Sequence, residues 1–113
     1  MQTLKESDEI KDSSDEAFMT DVVEASKEMP VIVDFWAPWC QPCKTLGPAL
    51  EAAVRANLNK LKLVKIDIDK YPAVANQLRV QSIPAVFVFS NGQPVDGFMG
   101  AQTPAQVNAF IKK

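Results

Sequence analysis

The apolar positions of this chain fall into two periods, and their order predicts its elements. Phe18, Val22 and Ala25 recur at i, i+4 and i+7, one face of a helix. Ser13 and Glu16, three apart, read as a capping box opening that helix, and Met29-Pro30 closes it. A short edge strand is expected before it, around Ile10. The segment Val31–Trp36, Val-Ile-Val-Asp-Phe-Trp, is nearly continuous in hydrophobicity, which suits a parallel strand covered by helices on both faces. Ala37-Pro38 breaks it. Leu46, Leu50 and Ala53 or Val54 then return to helical spacing. They predict a helix from about Cys40 to about Asn57, kinked at Pro48.

The second half continues the alternation. Leu61–Ile68 is a second apolar strand, Asp69 to Pro72 turns the chain, and a short helix is expected over Ala73–Leu78. Ala85–Phe89 is a third strand, rich in Val and Phe. Asn91-Gly92 is a hairpin signal that leads to a fourth strand near Val95–Met99. Thr103 reads as an N-cap with Pro104 in the first helical position. Val107, Phe110 and Ile111 form the buried stripe of a last helix, and Lys112 and Lys113 suit its negative end. The order is (β)αβαβα, a hairpin, then α. It predicts an α/β fold with a central mixed sheet of four to five strands flanked by about four helices. Parallel strands joined by right-handed crossovers form the first part, and the hairpin adds an antiparallel edge. The 113 residues suit one domain, 1–113, with residues 1–9 expected as a loosely ordered extension.

Composition narrows the chemistry. A net charge of -2 and no Lys/Arg cluster argue against nucleic-acid binding. No apolar run approaches the ~20 residues of a membrane helix. The polar start carries no basic-then-apolar leader, so a cytoplasmic protein is expected. There are 2 cysteines and no histidine, which excludes a four-coordinate zinc site within one chain, Cys-His pairs and histidine acid–base catalysis.

Those two cysteines form Cys40-Gln41-Pro42-Cys43, where a buried strand ends and a helix begins. A helix N-terminus has unpaired N–H groups and partial positive charge, both favouring a thiolate, so Cys40 is expected to have a lowered pKa. Cys43 lies about one helical turn on and can close a small disulfide ring, which Pro42 stiffens. A bare C-x-x-C also occurs as half a zinc site or as two core cysteines. The strand-to-helix setting and the lack of other ligands favour the redox reading. Asp34 is a lone carboxylate in an apolar strand; buried, its pKa would rise, and a carboxyl near neutrality serves as a proton acceptor. Its plainer reading is an aspartate near a strand end. Lys65 is likewise a lone cation in an apolar strand, and Trp36 is expected in the core.

The run Val33-Asp-Phe-Trp-Ala-Pro-Trp-Cys-Gln-Pro-Cys-Lys44 resembles the active-site signature of thioredoxins. The resemblance continues through Pro48, Lys65-Ile-Asp-Ile-Asp69, Ile83-Pro84, Asn91-Gly92 and Gly100, and covers about residues 10–113. It implies a thioredoxin fold and a protein-disulfide reductase working through a redox-active Cys40–Cys43 disulfide, with no bound cofactor or metal. Cys40 would be the exposed nucleophile, Cys43 the buried resolving thiol, and Asp34, with Lys65 near it, the proton acceptor. Trp39, Gln41 and Pro42, a cis Ile83-Pro84 peptide and Gly100 would meet substrate. Disulfide-bearing proteins and an NADPH-dependent thioredoxin reductase would be the partners of a monomer. Gln41 departs from the glycine usual after the first cysteine, inside the ring whose residues tune redox potential.

Two other functions compete. The stretch Asn91-Gly-Gln-Pro-Val-Asp-Gly-Phe-Met-Gly100 is similar to the thioredoxin domain of bacterial chaperones that carry tetratricopeptide repeats. That implies a client-binding domain cut from a longer protein. A disulfide oxidase or isomerase is the third reading, against which the missing leader and Ile83 before Pro84 argue.

Overall fold

A central strand buried on both faces demands a sheet with neighbours on each side, and the computed structural model, which describes residues 9–57 and 59–112, has one. Five strands, β1 (Ile10–Asp12), β2 (Val31–Trp36), β3 (Lys62–Asp67), β4 (Ala85–Ser90) and β5 (Gln93–Met99), form one sheet in the order β1-β3-β2-β4-β5. The β1–β3 and β3–β2 pairs are parallel; β2–β4 and β4–β5 are antiparallel. Among the described residues three α-helices, α1 (Gln41–Arg55), α2 (Pro72–Gln77) and α3 (Pro104–Ile111), and one irregular helical segment cover it. The expected extension over residues 1–9 lies, apart from Glu9, outside the described residues, as does Lys113.

The alternation of β2 divides the core. Val31, Val33 and Phe35 pack with Phe18, Val22, Val64, Ile66 and Phe89 on one face. Ile32 packs with Leu46, Leu50 and Val54 of α1, Val86, and Val107 of α3 on the other. Each such fully buried side chain stabilises the fold by roughly 1.5–3 kcal/mol relative to exposure. Asp34 points to the same face as Ile32, under α1, because side chains two apart share a face.

The first helix departs from expectation. Ser13 does not cap it; its hydroxyl donates to Asp21 Oδ2 at 2.7 Å. Ser14 Oγ instead accepts from the Ala17 N–H at 3.1 Å. The chain then winds as a π-helix over Met19–Glu24 and a 3-10 helix over Ala25–Lys27. Ser26 fastens this segment to the hairpin turn: its carbonyl accepts from Asn91 N–H at 2.9 Å and its Oγ from Gly92 N–H at 2.8 Å. A contact 66 residues away in sequence thus settles how the segment ends.

Elsewhere local signals hold. Helix α1 runs unbroken through Pro48, whose ring nitrogen has no hydrogen to donate to the preceding turn. Thr103 and Gln106 form a reciprocal capping box on α3, at 3.1 and 2.8 Å. Of the expected stripe, Val107 is fully buried while Phe110 and Ile111 are half-buried. Asn91 and Gly92 both take positive φ, 53° and 84°, the geometry of a tight hairpin turn. Helix α2 is capped from afar, the Ala73 and Val74 N–H groups donating to the Asp15 carboxylate at 3.1 and 3.0 Å.

Two alanine substitutions should move stability in opposite directions. At Gly97 an added Cβ would lie 2.7 Å from the Val86 carbonyl oxygen, so β5 must shift. A loss of about 1–3 kcal/mol is expected for Gly97→Ala in urea denaturation. At Gly47, inside α1, the nearest atoms would be 3.9 Å away, an ordinary contact. Gly47→Ala should stabilise by about 0.5–1 kcal/mol, the helix-interior advantage of alanine over glycine.

Candidate active site

Strand β2 ends at Trp36, and the next turn carries Cys40 to the start of α1. Cys40 is the N-cap, with extended backbone (φ −88°, ψ 104°), and its Sγ accepts from the Cys43 N–H at 3.3 Å. The position usually filled by a serine or aspartate oxygen is therefore filled by sulfur. An N–H aimed at Cys40 Sγ, together with the positive end of a 15-residue helix, favours negative charge on that atom when the pair is reduced. In this structure Cys40 and Cys43 are joined in a disulfide, with their Cα atoms 5.3 Å apart.

Both cysteines are buried as residues, Cys40 being 4% exposed and Cys43 5%. The expected contrast between an exposed and a buried thiol is thus absent in the oxidised form. Ala37 shares their cluster, and Trp36, Ile68 and Ile83 pack against it. Trp36 is half-buried here rather than a core residue. Gln41 and Pro42, inside the ring, are exposed. Trp39 is 67% exposed, and its indole N–H donates to Asp69 Oδ1 at 3.2 Å, which holds a large apolar face out toward solvent beside the disulfide.

The Ile83-Pro84 peptide is cis. Pro84 is buried and its carbonyl accepts from the Gly100 N–H at 2.8 Å. Gly100 has φ +94°, and a Cβ there would meet nothing within 4 Å; what its position requires of glycine is backbone conformation. The structure therefore packs Ile83 against the cysteine pair, which Trp39 precedes in the chain, and links Gly100 to Pro84 by a hydrogen bond.

Asp34 lies on β2 and shares a cleft with Cys43. It is 1% exposed, and neither carboxylate oxygen has a hydrogen-bond partner. Burial pushes its pKa up to about 7; Lys65 opposes the shift and Glu51 adds to it. Asp34 and Cys43 both line a cleft of about 240 Å³, together with Gly47, Glu51, Lys65 and Trp36. Lys65 stands opposite Asp34 in the β2–β3 register. Its ammonium, however, is paired with Glu51 Oε2 at 3.2 Å and lies 5.6 Å from the centre of the Trp36 ring. Glu51 is the residue that sequence reasoning missed. Cys43, Gly47 and Glu51 recur at i, i+4 and i+8 on α1, so helical periodicity places all three on one face. Among the described residues no cluster of three or more His, Cys, Asp or Glu is placed to hold a metal ion, and no helix is long and apolar enough to cross a membrane.

Comparison with known proteins agrees with this geometry. The family model described as "Thioredoxin" matches residues 9–113. Thioredoxin 1 of Nostoc sp. is 36% identical over 100 residues, covering 88% of this chain and 92% of that protein. The chloroplastic M-type thioredoxin of Spinacia oleracea is 34% identical over 112 residues, 99% of this chain and 59% of that one. A bifunctional thioredoxin reductase/thioredoxin of Mycobacterium leprae is 42% identical over 92 residues, which are 81% of this chain and 20% of that protein. These relatives favour the reductase reading over a client-holding chaperone domain. With the cysteine pair capping α1 and the family model spanning nearly all its length, this chain belongs to the thioredoxin family of thiol–disulfide oxidoreductases.

Proposed function

We propose that the chain reduces disulfides in other proteins with Cys40 as nucleophile, Cys43 as resolving thiol and Asp34 as proton acceptor. The observation that carries this is the helix cap: Cys40 Sγ receives the Cys43 N–H, in a pair that forms a disulfide. In the reduced protein, Cys40 thiolate attacks one sulfur of a substrate disulfide. A mixed disulfide forms and the other substrate sulfur leaves as thiolate. The Cys43 thiol then gives its proton to Asp34 and attacks Cys40. The mixed disulfide breaks, the second substrate thiolate departs, and two electrons have passed from the cysteine pair to the substrate. Lys65 acts on this transfer through its charge near Asp34.

Substrate would lie against the exposed Trp39, with Gln41 and Pro42 at its edge, and pair as an extended segment with the backbone at Ile83-Pro84. Gly100 holds the Pro84 carbonyl and adds no side chain over that surface. An NADPH-dependent thioredoxin reductase would restore the dithiol; the Mycobacterium leprae relative, whose name joins thioredoxin reductase and thioredoxin, supports that pairing. We place the protein, as a monomer, in the cytoplasm of a bacterium. Cyanobacterial and mycobacterial relatives and the reducing chemistry support the assignment.

Equilibration of the cysteine pair against a thiol buffer should give a potential near about −270 mV, whereas roughly −180 to −120 mV would make the protein an isomerase or oxidant and overturn the reductase reading. Cys40→Ser with Cys43→Ser should abolish reduction of a model protein disulfide.

Asp34 makes a kinetic and a thermodynamic prediction. Resolution of the mixed disulfide should accelerate as pH rises through about 7, as the carboxyl becomes able to accept a proton. Asp34→Asn should slow that step about 10²-fold and remove the inflexion. Stability runs the other way. Between 3.8, the ordinary value for an aspartate, and about 7 the unfolded chain has released a proton that the folded chain keeps, so raising pH favours unfolding. Stability should fall across that window by up to about 4 kcal/mol and level off above it. Denaturation of Asp34→Asn at several pH values should lack this slope.

A further inference from the structure

The two charged groups that act on Asp34 across the cleft are committed to each other. Lys65, directly across the β2–β3 register, is the cation best placed to neutralise the Asp34 carboxylate. Yet its ammonium rests on Glu51 Oε2 at 3.2 Å and near the Trp36 ring, while both Asp34 oxygens stay unpartnered. Glu51 is itself anchored, its other oxygen Oε1 lying 3.4 Å from the Arg55 guanidinium one turn further along α1. Its side chain is 22% exposed and that of Lys65 24%, so the pair sits at the mouth of the cleft, with Asp34 beneath. Helix α1 passes close to the pair at Gly47, where a Cβ would stand in ordinary contact, 3.9 Å, with both Glu51 Oε2 and Lys65 Nζ.

We propose that Glu51 is a positioning residue for disulfide exchange: by holding the Lys65 ammonium on its own carboxylate, it keeps that cation off Asp34 and leaves Asp34 able to take and release a proton for Cys43. The inference rests on the reading of Asp34 as proton acceptor and adds what keeps it one. An opposite charge within a few ångströms lowers a carboxyl pKa by about 1–3 units. Were Lys65 released onto Asp34, the carboxylate would become a fixed anion and a poor base for a thiol. The remaining groups around Asp34 do not take over this task. Val86 of β4 opposes it in register and is apolar. Lys44 of α1 lines the cleft but is exposed, as is Asp12 of β1, which opposes Lys65 in register. Cys43 is the thiol to be served. The raised pKa of Asp34, with Lys65 lowering it and Glu51 raising it, agrees with this arrangement.

The test is a carbon-13 NMR titration of the Asp34 carboxyl in the oxidised full chain, for wild type, Glu51→Gln, Lys65→Gln and the double variant. Glu51→Gln should move the midpoint down from about 7 by about one unit or more. Lys65→Gln should raise it, and in that background Glu51→Gln should lose most of its effect. An unchanged midpoint in Glu51→Gln overturns the proposal. So does an equally large shift with and without Lys65, because Glu51 would then act only by its own charge. The pH profile of mixed-disulfide resolution should follow the same order. If Asp34→Asn leaves that profile unaltered, the role of Asp34 as proton acceptor fails, while the titration still decides whether Glu51 governs Lys65.

Discussion

Strand β2 sits between β3 and β4 with five of its six residues buried, and the other elements are arranged around covering it. A strand in that position needs neighbours on both edges to bond its backbone and helices on both faces to bury its side chains. The parallel β3 and antiparallel β4 meet the first need, and α1 with α3 on one side and the irregular segment with α2 on the other meet the second. The same constraint determines where the chemistry lies. A strand buried along its length brings the next helix up at its end, so the N-terminus of α1 opens at the rim of the sheet, with Cys40 as its cap.

The site then uses two consequences of burial in opposite senses. At Cys40 the Cys43 N–H, at the start of the helix, is turned toward sulfur, which favours the charged thiolate. At Asp34 the apolar sheet disfavours charge, which holds the carboxyl near neutrality. In the proposed reaction one group attacks and the other accepts a proton, and Cys43, which belongs to the helix, lines the cleft shared with Asp34. A buried carboxyl without a hydrogen bond costs stability. An apolar residue would serve the core better, and the proposed proton transfer gives the carboxyl at the centre of β2 a purpose that the fold does not.

The ion pair at the mouth of the cleft shows how an ordinary surface feature bears on a buried one. A partly exposed Lys–Glu pair contributes little to stability, of the order of 0–1 kcal/mol. Its effect here lies in where it leaves the ammonium. Of the acids around Lys65, Asp34 stands on the neighbouring strand and Glu51 on the helix above. The helix residue, braced by Arg55, holds it.

Much of this was legible in the sequence, because it depends on local periodicity and local capping. The continuous apolar run Val31–Trp36 announced a doubly covered strand, Asn91-Gly92 the hairpin, Thr103-Pro104 the last helix, and Cys40 to Cys43 a dithiol at a strand-to-helix junction. What the sequence left open involves partners far apart in the chain. Ser13 and Glu16 looked like a cap, but Asp21 took the Ser13 hydroxyl, and Ser26 was bound by a turn 66 residues on. Asp15, within a polar stretch, capped a helix 58 residues away. Lys65 could be placed opposite Asp34 once strands were paired, yet only the packing of α1 over that pair decided that Glu51 would hold it. Short-range patterns determine which segments become strands and helices. Which of two acids a lysine meets depends on how those segments stack, because electrostatic preference falls off over a few ångströms and the chain alone does not specify those distances.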